Sequence, residues 1–196
     1  MKTKLFFKGP LLTRSGYGEQ SRFALRALRS RPDLFDIYIQ PLQWGQTSWV
    51  SETDDERLWI DQNVEKTIGY VQQGGKFDAS FQVTIPNEWE KLAPINVGFT
   101  AGMETTKVAH QWLSKGNEMD RIVVVSTHSK TTYENTQYAA VNEATGEHLN
   151  FELTTEIDVA NYPTKNFGEC PQLDLDLEYD FNFLCMAQFG PRKNLP

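Results

Sequence analysis

KLFFKGPLLTRSGYGEQSRFALRALRSR, residues 4–31, is the stretch whose reading decides the fold. The apolar run KLFFKG (4–9) ends in Gly9-Pro10, LLTRSGYGEQ follows, and Phe23, Ala24, Ala27 and Leu28 then recur at helical spacing. This reads as strand, glycine loop, helix. Proline drives the residue before it out of the helical region, so the helix is expected to stop near Arg31-Pro32. FDIYIQPL (35–42) alternates as a strand does. From Asp54 to Gln73, Ile60, Val64, Ile68 and Val71 recur at helical spacing, and Gly74-Gly75 ends the pattern as a helix C-terminus would. FDASFQV (77–83) is expected to put Phe77, Ala79, Phe81 and Val83 on one face, and INVGFTAG (95–102) to do so with Ile95, Val97 and Phe99. RIVVVS (121–126) is the continuous apolar run of a parallel strand covered on both faces. Parallel strands need crossover helices that pack right-handedly, so the alternation predicts a doubly wound, mostly parallel α/β sheet with helices on both faces.

Beyond about residue 136 the texture changes. QYAAVNEATGEHLNFELTTEIDV (137–159) reads as two extended segments around Ala144-Thr145-Gly146, a β-hairpin appended to the α/β core. PTKNFGECPQLDLDLEYD (163–180) is proline-bearing and acidic and reads as a linker, and FNFLCMAQFGPRKNLP (181–196) restarts the pattern of apolar strand and basic glycine loop. The expected organisation is an N-terminal domain over 1–162, a linker over 163–180, and the first strand and loop of an incomplete second domain over 181–196.

The 196 residues carry a net charge of −7 with 39% hydrophobic and 12% aromatic content, which fits an ordinary folded protein. An acidic balance argues against a nucleic-acid-binding role, because phosphate neutralisation needs a basic surface. Cys170 and Cys185 form neither a C-x-x-C pair nor a disulfide framework, which suits a reducing, cytoplasmic setting. No stretch approaches the roughly 20 apolar residues that span a bilayer, while peripheral membrane contact stays open.

The loop Ser15-Gly16-Tyr17-Gly18 lies between the first strand and the first helix, where α/β folds bind ligands. Its glycines either let the backbone approach an anion at a helix N-terminus or answer a tight turn needing positive φ. Arg22, Arg26 and Arg29 form a basic stripe that reads as a solvated face. Trp44 and Trp49 follow the second strand and would either stack on sugar rings or be buried under their loop. Asn87, Glu88 and Trp89 follow the third strand, and Glu104, Thr105, Thr106 and Lys107 the fourth. Glu104 is expected near a helix start, where it would favour the helix dipole or accept hydrogen bonds from a substrate hydroxyl. Ser126 is an expected N-cap, and with His128 and Ser129 it closes the fifth strand. His128 is a candidate acid, base or phosphate contact. Asp174-Leu175-Asp176 matches the D-x-D pattern of metal-dependent sugar transferases, but it lies in an acidic linker and no metal site is assigned.

GPLLTRSGYGEQSR (9–22), PNEWEKLAPINVGFTAGMETTKVAHQW (86–112), MDRIVVVSTHSK (119–130) and FNFLCMAQFGPRKNLP (181–196) together resemble the N-terminal half of GT-B-fold glycosyltransferases, in the retaining, glycogen-synthase-like and mannosyltransferase-like group. The resemblance implies two Rossmann-like domains facing each other across a cleft, the N-terminal one binding the acceptor and the C-terminal one the nucleotide sugar. It implies that Ser15, Gly16, Tyr17 and Gly18 border the cleft near the donor phosphates, that Glu104 and its neighbour Thr105 face the acceptor, and that Ser126, His128 and Ser129 line the floor; Asn87 and Glu88 are further candidate substrate-binding residues. It further implies that Arg192 and Lys193 hold the donor diphosphate, with Gln188 standing where many members have arginine. The substrates implied are a nucleotide-sugar donor and a glycan or lipid-linked acceptor for hexose transfer, with no metal or other cofactor. The family's E-x7-E donor motif lies in a part of the second domain that these 196 residues do not include, so the chain alone is expected to be inactive. Its half-cleft and unpaired strand are expected to favour self-association. Two alternatives stand beside this reading: a sugar-nucleotide epimerase of the same fold, and a non-enzymatic carbohydrate-binding or interaction module using Trp44, Trp49 and Trp89.

Overall fold

The computed structural model describes residues 1–102, 104–141, 146, 148–164, 166, 168–169, 171 and 175–186. The chain divides into two compact units, Met1–Pro163 and Thr164–Pro196. In the first, the elements run β1 (Thr3–Gly9), α1 (Gly16–Arg29), β2 (Phe35–Pro41), α2 (Asp55–Gln72), β3 (Ala79–Val83), a single 3₁₀ turn (Pro86–Glu88), β4 (Ile95–Thr100), α3 (His110–Gly116), β5 (Arg121–Val124), α4 (Thr127–Glu134), β6 (Gln137–Val141), β7 (His148–Glu152) and β8 (Ile157–Val159). Six strands form one sheet in the order β2-β1-β3-β4-β5-β8, and every ladder in it is parallel. β6 and β7 make a separate antiparallel hairpin. The fold is Rossmann-like α/β, with the 2-1-3-4-5 strand order in which the winding reverses between β1 and β3.

Leu5, Phe6 and Phe7 are all buried, as a parallel strand covered on both faces requires. One core cluster gathers Phe7, Leu25, Ile39, Ile60, Val83 and Phe99 around α1 and α2. The other joins Trp89, Trp112, Leu113, Ile122, Val124 and Tyr133 around α3 and α4. Side-chain caps start three of the helices: Ser15 Oγ accepts from Gly18 N at 2.9 Å, Asp54 Oδ1 from Arg57 N at 2.8 Å, and Ser126 Oγ from Ser129 N at 3.1 Å. Gly74, at φ +76°, ends α2 in the left-handed turn that glycine permits.

The structure departs from the sequence reading in five places. α1 begins at Gly16, so most of the expected glycine loop is the helix's own first turn, whereas its end at Arg29, capped by Ser30, agrees with the expected stop near Arg31-Pro32. Phe77 precedes β3 and stacks on Phe6 at 4.5 Å, whereas Phe81 stacks on Phe7, so Phe77 and Phe81 face opposite sides of the sheet. The apolar stripe of α2 is buried at Ile60, but Ile68 and Val71 are about half exposed, because α2 rides the edge of β2 instead of lying flat on the sheet. The segment after the hairpin supplies β8, a sixth parallel strand paired with β5 in register Ile122↔Ile157, where only two extended segments were expected. Glu104 lies in a bend six residues ahead of α3, and the helix start beside it is that of α4, whose Ser126, His128 and Ser129 share its pocket. Ala144 and Thr145 of the expected hairpin turn lie outside the described residues.

In the second unit, no helix or strand occurs among the described residues. Gly168 turns at φ +72°, with its N–H donating to Asn166 Oδ1 at 2.9 Å. Phe181 and Phe183 meet edge to face at 5.0 Å.

Candidate functional site

At the carboxyl edge of the sheet, Thr13 and Ser15 fix the entry to α1. Thr13 Oγ1 lies 2.9 Å from Pro10 O and 2.8 Å from Ser15 Oγ, and Ser15 caps the helix. Gly18 packs against this loop so closely that a Cβ there would lie 2.2 Å from Thr13 O, whereas a Cβ on Gly16 would meet open space. Neither glycine has positive φ, so the tight-turn explanation for the pair does not hold. The Tyr17 hydroxyl lies 2.9 Å from Thr100 Oγ1, receives the Ala101 N–H at 3.3 Å, and its ring packs on Trp44 at 4.5 Å. Burial pushes the Tyr17 phenol above its ordinary value, against the pull of the Thr100 and Ala101 hydrogen bonds.

The second entry is built around α4. Ser126 caps it, Ser129 Oγ lies 3.0 Å from Ser126 Oγ, and Gly102 passes so close that a Cβ on it would come 2.3 Å from Ser129 Oγ. Gly102 also turns at φ +78°, so two separate constraints demand glycine there. Together these residues form a pocket of about 380 Å³ whose polar lining is Glu104, Ser126, His128, Ser129 and Tyr162. The Tyr162 hydroxyl donates to Gln20 Oε1 at 3.2 Å, and Asn161 Nδ2 donates to Val125 O at 3.0 Å, tying the chain after β8 to α1 and β5. Burial also pushes the Tyr162 phenol up. Hydroxyls, a carboxylate and an imidazole in one open pocket at the N-terminus of α4 suit recognition of a hydroxyl-rich ligand.

Glu104, Ser126, His128 and Ser129 are thus brought together, with Tyr17 one hydrogen bond away through Ala101. Asn87 lines a different pocket, of about 370 Å³, with Gln111, Ser114 and Lys115. Thr105 turns its hydroxyl to Lys107 O at 2.7 Å. Glu88 is exposed near Tyr17, and partial burial raises its carboxyl pKa although Lys8 pulls it down. Arg192, Lys193, Gln188 and Asp174 lie outside the described residues.

The basic stripe on α1 is tied down within the protein. Arg22 bonds Leu11 O, Thr13 O and Glu19; Arg26 bonds Glu56 through two nitrogens; and Arg29 lies over Trp59 at 4.5 Å. Trp89 is fully buried with its ring over Gly98, so it cannot stack on a sugar as the binding-module alternative requires. Trp49 is 44% exposed. Among the described residues, no three His, Cys, Asp or Glu side chains are placed to hold a metal ion, and no helix is long and apolar enough to cross a membrane.

The reading of the residues missed Tyr162, Gln20 and Thr100. Thr100 was legible as the last residue of an apolar strand, but Tyr162 acquires its place only through β8. No family model matches the chain, and neither a curated protein nor a solved structure is found to be similar to it.

Proposed function

We propose that residues 1–162 are the acceptor-side domain of a glycosyltransferase that moves a hexose from a nucleotide sugar to a glycan or lipid-linked acceptor, with retention of configuration. The observation that carries this reading is the polar pocket at the carboxyl edge, where Glu104, Ser126, His128 and Ser129 converge. The resemblance of residues 9–22, 86–112, 119–130 and 181–196 to GT-B enzymes supports it from the sequence side. On this reading the Glu104 carboxylate accepts hydrogen bonds from acceptor hydroxyls, and the serines and His128 orient them. The resemblance assigns the donor diphosphate to Arg192 and Lys193 as cationic contacts. The epimerase alternative draws on the same pocket, since Glu104 and His128 could act there as an acid and base pair.

The test is backbone NMR of the 196-residue chain titrated in parallel with neutral disaccharides and with UDP- and GDP-hexoses. Disaccharides are expected to shift resonances of Glu104, Ser126, His128 and Ser129, with Glu104→Gln and Ser126→Ala weakening the effect, while nucleotide sugars bind weakly. Micromolar binding of a nucleotide sugar, or disaccharide shifts confined to residues outside the pocket, would overturn the reading. Inversion of a hydroxyl centre in the added nucleotide sugar would replace it with the epimerase.

A further inference from the structure

The hydroxyls that line the polar pocket turn their protons inward. Tyr162 spends its proton on Gln20 Oε1 at 3.2 Å. Ser129, 4% exposed, donates to Ala101 O at 3.4 Å. A serine hydroxyl has one proton to give, so Ser126 is the donor in the 3.0 Å contact between Ser126 Oγ and Ser129 Oγ. Ser126 Oγ accepts the Ser129 N–H in return. The Glu104 carboxylate accepts as well. Among the described side chains of the lining, His128 is left as the one able to donate to a ligand.

This arrangement depends on where Ala101 stands, and Ala101 is pinned from its other side by Tyr17. Thr100 is fully buried, and its hydroxyl meets Tyr17 Oη at 2.9 Å and the Gly102 N–H at 3.5 Å. Among the described residues the acceptor for the Thr100 proton is therefore Tyr17 Oη, which also receives the Ala101 N–H at 3.3 Å. One phenol oxygen thus serves two donors. Tyr17 is itself held by its place in the first turn of α1 and by the Trp44 ring at 4.5 Å. The absence of a Cβ on Gly102 then lets the main chain pass beside Ser129 Oγ. A run of contacts from Tyr17 Oη through Ala101 to Ser129 and Ser126 links the start of α1 with the start of α4.

We infer that Tyr17 is a positioning residue that sets the hydrogen-bond polarity of the pocket. By fixing Ala101 it keeps the Ser129 proton on the main chain and the Ser126 proton on Ser129, so both serines face a ligand with lone pairs. Beside Glu104, they favour ligand hydroxyls that donate and disfavour phosphate oxygens, which only accept. This deepens the proposed function and rests on its reading of the pocket as a saccharide site. Without the Tyr17 oxygen two donors lose their acceptor and Ala101 shifts. The Ser129 proton then turns to Ser126, and the Ser126 proton is released toward the ligand.

The experiment is NMR titration of the 196-residue chain with methyl α-glucoside and with its four analogues carrying fluorine in place of each hydroxyl in turn. Fluorine cannot donate, so at least one analogue is expected to bind the parent about fivefold or more weakly than methyl glucoside. Tyr17→Phe keeps the ring and is expected to bring that analogue within about twofold of methyl glucoside. It is also expected to shift the Ser129 amide of the ligand-free chain. Ser129→Ala, the second variant, frees the Ser126 proton directly and is expected to lose the same discrimination and to shift the Ala101 and Tyr17 amides. The two substitutions together should do no more than either alone. Circular dichroism checks that each variant folds, and if Tyr17→Phe does not, a Tyr17 amide unmoved by Ser129→Ala overturns the inference. A purely structural Tyr17 would weaken all five sugars together and keep their ratios, which overturns it too. A parent that binds all five alike overturns the inference and leaves the saccharide site standing. A Ser129 amide unmoved by Tyr17→Phe overturns it whether or not a sugar binds. Binding by none of the five, with that amide shifted, overturns the saccharide reading and leaves the Tyr17 linkage standing.

Discussion

Gly16 and Gly18 occupy the same helical turn, but only Gly18 is confined by its neighbours. An alanine methyl at 18 would press into the Thr13 carbonyl and hydroxyl, and overpacking against backbone is not relieved by rotamer changes. Gly18→Ala is expected to cost about 3 kcal/mol in urea unfolding, whereas Gly16→Ala should gain about 0.5 kcal/mol by restricting the unfolded chain. The sequence showed two glycines in a loop and no way to tell them apart, because the difference is a distance to Thr13 that only the packed helix creates. Trp44, Trp49 and Trp89 were equally alike as letters. Trp89 is buried because Gly98 on β4 leaves a flat face for its ring, a pairing across nine residues that periodicity does not encode. Ser126 was legible for the opposite reason: N-capping is local, and Ser-Thr-His-Ser after an apolar strand carries the signal in itself.

At the scale of the elements, β2 is an edge strand, and α2 blunts that edge. Thr67 Oγ1 accepts the Ile39 N–H at 2.7 Å and donates to Asn63 O at 2.6 Å, filling a position where another strand would otherwise pair. Thr67→Val leaves that N–H buried without a partner and is expected to cost about 1–3 kcal/mol, while Thr67→Ser should stay within about 1 kcal/mol of the parent; chemical denaturation of the pair checks both. The long strands and helices were readable because each carries its own period. β8 was not: three residues, Ile157, Asp158 and Val159, show no period, and only Ile157 is buried. Missing β8 also meant missing Tyr162, and with it the wall of the candidate site. The exposed half of the α2 stripe was misleading because helical spacing reports a shared face without saying what covers it.

For the molecule as a whole, the tyrosines set an alkaline limit. Burial first, and then the hydrogen bond and charge of Asp36, push the Tyr38 phenol from 10.0 up to about 12, and burial likewise raises those of Tyr17, Tyr133 and Tyr162. A raised folded-state value means that the unfolded chain loses its proton first. The stabilisation is therefore complete below pH 10, the ordinary phenol value, and is lost as the pH rises through the folded value near 12. Thermal melts are expected to fall over that window, and Tyr38→Phe should make the fall shallower; an unchanged slope would count against the assignment. Tyrosine content was legible from composition, but which phenols are shielded from water was not.

Among the described residues β8 has a sheet partner on one side only; it spans three residues and is anchored by Ala160 N to Val124 O at 2.8 Å and by Asn161 to Val125 O. Strands with few neighbours open at free energies far below that of global unfolding, so its amides are expected to exchange with deuterium faster than those of β1 and β3. Because Tyr162 stands three residues beyond this strand, fraying of β8 would loosen one wall of the polar pocket. Breathing at one margin of the sheet would then widen the entrance to that pocket without any change in the central strands.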